Sequence, residues 1–316
     1  MTETHQVTAD AHQKGLLPPG VTTPGSLQPL LAAAGYLTDM GTATAAFLAM
    51  RLERPLFLEG EPGTGKTSLA LALAAVLHAP LIRLQCYEGI DVTQALYDWD
   101  FPRQVLHLKV AELGGRTAAG QVEEVEAELW SERFLLARPL LQALRTSPCV
   151  LLVDEVDRAD DEFEAYLLQV LSDYAVSIPE LGTITALTPP VVVLTGNRTR
   201  DVSDALKRRC LYHWLDHPDF AREVEILELT VPQASAELTQ QVVRATQFLR
   251  GADLAKPPGV AETIDWTKAL VALNTPALDA AAMTATLGAL LKHREDALRV
   301  RHSDMTAALG RAIGFA

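Results

Sequence analysis

The sequence predicts an α/β fold, a doubly wound parallel sheet followed by an all-helical domain. Three observations predict it. Wholly apolar runs recur at Leu56-Phe57-Leu58, Val150-Leu151-Leu152-Val153 and Val191-Val192-Val193-Leu194, the pattern of strands buried on both faces. Helical periodicity fills the intervals between such runs. After His217-Pro218 the strand-like runs stop, and the Ala-rich remainder reads as helix broken at Lys256-Pro257-Pro258-Gly259 and Asn274-Thr275-Pro276.

The elements follow in order. Residues 1–28 carry Pro18, Pro19, Pro24 and scattered glycines without periodicity, so a flexible arm is expected; a peptide docking on a neighbouring subunit is the alternative. Ala43 to Arg51 reads as a helix, Pro55 to Glu59 as a short buried strand, Thr67 to Leu77 as a helix and Leu81 to Leu84 as a second strand. Residues 86–148 form a long insertion. Phe163, Tyr166, Leu167, Val170 and Leu171 obey the i, i+3, i+4, i+7, i+8 spacing of an amphipathic helix. The α/β unit is therefore expected over 29–217 and the helical domain over 218–316.

Composition narrows the function. Of 316 residues, 48% are hydrophobic and 21% charged, enough apolar material for full cores. Lys plus Arg number 27 against 40 Asp plus Glu, a net charge of −13, which argues against binding nucleic acid by general phosphate neutralisation. Cys86, Cys149 and Cys210 make neither a CxxC metal pair nor a disulfide framework, which fits a reducing compartment. No signal peptide and no membrane-length apolar run is visible, so a soluble, cytoplasmic protein is expected.

Gly60-Glu61-Pro62-Gly63-Thr64-Gly65-Lys66-Thr67 fits G-x-x-x-x-G-K-[ST], the P-loop. Its glycines let backbone N–H groups surround a β-phosphate, and the following helix aims its positive end at the anion. Lys66 is expected to reach the β/γ-phosphates of ATP and the Thr67 hydroxyl to ligate Mg²⁺. The bare pattern arises by chance in on the order of one chain in a hundred, but here it lies between a buried strand and a helix, the context it requires.

A second buried strand ends in Asp154-Glu155. Asp154 is placed to hold Mg²⁺ through water, and Glu155 to activate water for attack on the γ-phosphate. A third strand ends in Thr195-Gly196-Asn197, and Asn197 is expected to orient that water; alone it would read as a turn residue.

The ordered set GEPGTGKT, LLVDEVDR, TGN and Asp204-Ala205-Leu206-Lys207-Arg208-Arg209-Cys210 resembles the AAA+ ATPases. Ser177-Ile178-Pro179-Glu180-Leu181-Gly182, like the hairpin before the third strand, and the long insertion resemble the MoxR branch. LQCYEGID, ALYDWDFPRQ and KPPGVAETIDW are similar to the CoxD-like proteins encoded with molybdenum-containing carbon monoxide dehydrogenases. The resemblance implies an ATP-hydrolysing homo-hexameric ring that remodels or matures a partner protein. It also implies a von Willebrand factor A domain partner and a molybdenum hydroxylase as the metalloenzyme client.

Arg209, with Arg208 beside it, matches the family's arginine finger, which reaches the γ-phosphate of the neighbouring subunit; fingers of this kind are worth roughly 10³ to 10⁵ in rate. A solvated basic helix end is the plainer reading. One departure stands out. MoxR proteins carry an arginine early in a lid helix, where this chain has Gly259-Val260-Ala261-Glu262-Thr263, leaving Lys256 or another arginine as the substitute.

His213 and His217 lie four apart, but Pro218 and the neighbouring apolar residues favour a strand leading to a turn over a metal pair. Glu88 and Asp91 read either as pore-lining residues or as an ordinary turn. The rival function is a nucleic-acid motor of the helicase type. It calls for Lys or Arg on the hairpin SIPELGTITALTPP, which has none.

Overall fold

The computed structural model describes residues 16–114 and 122–314. Nine strands occur among them: β1 (Leu56–Glu59), β2 (Leu81–Gln85), β3 (Tyr97–Trp99), β4 (Leu135–Ala137), β5 (Val150–Asp154), β6 (Ala175–Ile178), β7 (Gly182–Thr185), β8 (Val191–Gly196) and β9 (Leu211–Trp214). Five make a parallel sheet in the order β2-β5-β8-β1-β9.

The apolar runs are continuous because successive residues feed different cores. Leu151, Val153, Val192 and Leu194 enter one, with Phe163, Leu167 and Leu171 of helix Asp161–Asp173. Val150, Leu152, Val191 and Val193 enter the other, with Leu69 and Leu73 of helix Lys66–Val76 and Ala46 and Met50 of helix Met40–Arg51. This doubly covered parallel sheet is the arrangement the alternation predicts. The apolar run of β1 stops at Glu59, and those of β5 and β8 give way to Asp154 and to Thr195-Gly196, so the polar groups collect at one edge of the sheet.

The expected N-terminal arm falls partly outside the described residues, as 1–15. From Leu16 onward the chain is packed. The Leu16 N–H donates to the Met50 carbonyl at 3.0 Å, and Leu27 and Leu31 are fully buried. Pro24 opens helix Pro24–Ala33 behind a Thr23 cap. A proline at the first helical position is preorganised for the helix, which is why a residue read as a breaker is a start.

Within the insertion, β3 and β4 pair antiparallel, Tyr97 opposite Ala137. They clasp the base of an excursion made by helices Phe101–Leu113 and Val122–Leu129. At three residues each, these strands carry no period the sequence could reveal. β6 and β7 form the expected hairpin.

After β9 six helices, Phe220–Thr230, Ala236–Arg250, Val260–Ala272, Ala280–Leu290, Arg294–Arg301 and Ser303–Ile313, build a third core around fully buried Trp266. Its indole N–H donates to Thr286 Oγ1 at 2.7 Å. Among the described residues no helix is long and apolar enough to cross a membrane.

Candidate nucleotide-binding site

The loop from Gly60 to Gly65 leaves the C-terminal end of β1 and turns into helix Lys66–Val76. Gly60 is required by a close approach: a Cβ there would lie 2.4 Å from the Leu215 carbonyl oxygen. No side chain caps the helix start at Gly65, so its first-turn N–H groups and positive dipole end make an anion site.

Lys66 is buried, and its ammonium donates to the carbonyls of Gly60 at 2.9 Å and Glu61 at 2.7 Å. Burial lowers its pKa, opposed by Asp157, Asp154, Glu155 and Glu61. Thr64 Oγ1 closes the loop on the Glu61 carbonyl at 2.9 Å, and the Glu61 carboxylate meets His217 Nε2 at 3.0 Å.

Thr67 Oγ1 donates to Asp154 Oδ1 at 3.2 Å, so the hydroxyl and the β5 carboxylate meet beside the loop. Thr195 Oγ1 donates to the same oxygen at 2.5 Å and accepts from the Glu155 N–H at 2.9 Å. Glu155 has φ 55, the left-handed region that non-glycine residues seldom occupy outside constrained sites. Its carboxylate accepts from Asn197 Nδ2 at 3.4 Å, Gln85 Nε2 at 3.2 Å and Arg158 Nε at 2.9 Å.

Lys66, Thr67, Asp154, Glu155 and Asn197 line one cavity of about 370 Å³, together with Pro62, Gly63 and Gly65. Thr67 and Asp154 fit Mg²⁺, a hard cation that takes one or two protein oxygens and completes its shell with water and phosphate. A second cavity, of about 310 Å³, shares Gly65, Ser68, Val260 and Ile264 with the first. Leu37, Leu215, Pro218 and Ile226 give it an apolar wall, and Asp39, Asp216, His217, Asp219 and Arg222 line the rest.

The lid reaches the phosphate loop through its backbone. The Val260 N–H donates to the Gly63 carbonyl at 3.0 Å, and Glu262 caps its own helix by accepting from the Gly259 N–H at 3.0 Å. Lys256 is exposed and does not line the phosphate cavity; its N–H donates to Asp296 at 3.0 Å. The lid lines that cavity with Val260, Ala261 and Ile264.

Arg208 and Arg209 lie elsewhere. Leu211 pairs with Leu56, at the start of β1, while the phosphate loop leaves its far end, about 10 Å along the strand. Arg209 donates to the Ser172 carbonyl, the Arg208 side chain is exposed, and Arg54 holds the carbonyls of Arg208 at 2.7 Å and Arg209 at 3.0 Å.

Three polar positions were not singled out by sequence reasoning. Asp157 is buried, and its Oδ2 accepts the N–H groups of Asn197 at 3.0 Å and Thr199 at 2.8 Å, fixing the turn that presents Asn197. Gln85 and Arg83 reach the cavity edge from β2. The sole signal for them was an apolar strand interrupted by polar residues. His213 hydrogen-bonds Thr42 at 2.9 Å on β9 and His217 meets Glu61, so the two histidines have separate partners. Glu88 is exposed, and Asp91 caps the short helix Val92–Ala95. All three cysteines are buried, with burial pushing the Cys86 thiol up to about 12.

Residues 55–210 match the family model described as AAA domain (dynein-related subfamily). An ATP-dependent zinc metalloprotease FtsH 1 from Sorangium cellulosum is 27% identical over 227 residues, covering 66% of this chain and 30% of that protein. FtsH from Helicobacter pylori is 27% identical over 229 residues, with the same coverage. Midasin from Giardia intestinalis is 36% identical over 59 residues, 19% of this chain and 1% of that protein. The chain thus spans about 30% of the length of its FtsH relatives. Among solved structures, the Thermotoga maritima RuvB Holliday junction branch migration motor covers 92% of this chain and 82% of its own at 15% identity and a TM-score of 0.45. Residues 55–210 are thus similar to the AAA domains of the dynein-related subfamily, a class of module that hydrolyses ATP with Mg²⁺.

Proposed function

We propose that this chain is a ring-forming AAA+ motor, most simply a homo-hexamer, that uses ATP hydrolysis to remodel or mature a partner protein. The observation that carries the reading is the separation of Arg209 from its own phosphate loop by the length of β1, while Glu155 and Asn197 stand together at the cavity. An arginine so placed serves a site on a neighbouring subunit.

In this reading Lys66 and the loop N–H groups bind the β/γ-phosphates, and Thr67 and Asp154 hold the metal. Mg²⁺ supplies charge neutralisation for the transferred phosphoryl group. Glu155 accepts the proton of the attacking water, Asn197 orients that water, and Arg209 of the next subunit, with Arg208 in reserve, meets the charge developing on the γ-phosphate.

Protein rather than nucleic acid is the proposed substrate. The net charge of −13 and a β6–β7 hairpin without Lys or Arg argue against binding nucleic acid by general phosphate neutralisation. The resemblance to the MoxR branch, CoxD-like, supports a von Willebrand factor A domain partner and a metalloenzyme client such as a molybdenum hydroxylase, in the cytoplasm. The test compares ATP turnover with single-stranded DNA, duplex DNA, RNA and a co-encoded von Willebrand domain protein. Stimulation by the protein partner is expected. Stimulation by a nucleic acid alone would make the chain a helicase-type motor instead.

A further inference from the structure

Arg83 stands at the phosphate cavity with no role in the scheme above. It lies on β2 opposite Leu152, two residues before Gln85, which pairs with Asp154. Its Nη2 donates to Asp154 Oδ2 at 2.5 Å and to Gln85 Oε1 at 2.6 Å. Gln85 in turn donates to Glu155 at 3.2 Å. The guanidinium therefore meets Asp154 directly and Glu155 only through Gln85, and its side chain is 53% exposed, free on one side to take another partner.

The charge around the cavity gives that exposure a use. Its described lining has two cations, Lys66 and Arg83, against Asp154 and Glu155, and the lid face contributes apolar Val260, Ala261 and Ile264. ATP carries about one more negative charge than ADP, and its terminal γ-phosphate, which ADP lacks, holds about two. Bound beside Thr67, Mg²⁺ and its water shell would compete with Arg83 for the Asp154 carboxylate, a divalent charge against a single one. The released guanidinium then borders the phosphates with an unsatisfied planar fork, a geometry suited to phosphate oxygens.

We propose that Arg83 is a specificity-determining residue of this site: on release from Asp154 it binds the terminal phosphate of ATP within its own subunit, and so distinguishes ATP from ADP. Its bond to the Gln85 carbonyl oxygen also turns the Gln85 amide nitrogen toward Glu155. The proposal rests on the nucleotide site described above.

The test is equilibrium binding of fluorescent ADP and of a slowly hydrolysed fluorescent ATP analogue, with Mg²⁺, to the full chain and to Arg83→Ala and Arg83→Lys. Arg83→Ala is expected to lose at least about tenfold in affinity for the ATP analogue while ADP affinity stays within about threefold, the scale of one charge-assisted contact. Arg83→Lys is expected to recover part of the loss. Retained ADP binding also reports that the variant is folded. Equal shifts for both nucleotides, or none, would overturn the role of Arg83. A wild-type chain that binds neither nucleotide would overturn the site itself.

Discussion

The Val260 N–H donates to the Gly63 carbonyl over 3.0 Å, so the helical domain is tied to the phosphate loop by backbone. Two glycines permit it. A Cβ on Gly259 would lie 2.7 Å from the Pro62 carbonyl oxygen and 2.8 Å from Gly63 Cα. Behind the contact, Arg250 holds the Pro258 carbonyl at 2.7 Å and buried Glu223 at 2.6 Å, and Glu223 accepts from Thr263 Oγ1 at 3.0 Å. The start of this lid helix is therefore set by a buried ion pair between two other lid helices.

Gly259→Val should separate lid from loop without unfolding either domain. The expected result is a loss of about tenfold or more in nucleotide affinity, equivalent to about 1.4 kcal/mol. Titration with a fluorescent nucleotide checks it, alongside a circular dichroism melt that should retain its cooperative transition.

Lys66 and Glu155 occupy different parts of the cavity, so their loss should be felt at different steps. Lys66→Ala should abolish nucleotide binding. Glu155→Gln keeps the hydrogen-bonding shape but not the base, and should bind ATP while turnover falls by about 10² or more. Binding and phosphate-release assays on the same preparations separate the two. Equal loss of binding in both variants would contradict these roles.

Asp157→Ala should strip the turn at Asn197 of its anchor. Two N–H groups and the Thr199 hydroxyl lose their acceptor, at a cost of about 3 kcal/mol. Urea denaturation should show the loss, with turnover falling further than nucleotide affinity because Asn197 is displaced from Glu155.

Much of this was legible in the sequence, for physical reasons that can be named. A strand buried on both faces must be apolar throughout, and so Leu56 to Leu58, Val150 to Val153 and Val191 to Leu194 announced themselves. The phosphate loop was legible because backbone chemistry dictates its glycines. What was not legible depends on contacts between distant segments. Asp157 reads as one more acid after a strand until its bonds to Asn197 and Thr199 are seen. Arg83 reads as a polar interruption in β2. The second cavity draws on residues near 36, 215 and 226, which share no local pattern. Residues 16–28 misled in the other direction, because Pro24 looks the same in a coil and at the first position of a helix.

The central claim is that a complete site takes Glu155 from one subunit and Arg209 from the next. It is tested most directly by mixing two inactive chains, Glu155→Gln and Arg209→Ala. In a mixed ring, Arg209 of the Glu155→Gln chain faces the intact Glu155 of its neighbour, so some ATP turnover should return on mixing and should rise with total protein concentration. A mixture as inactive as its components, from a wild-type chain that sediments as a fully active monomer at every concentration, would contradict it.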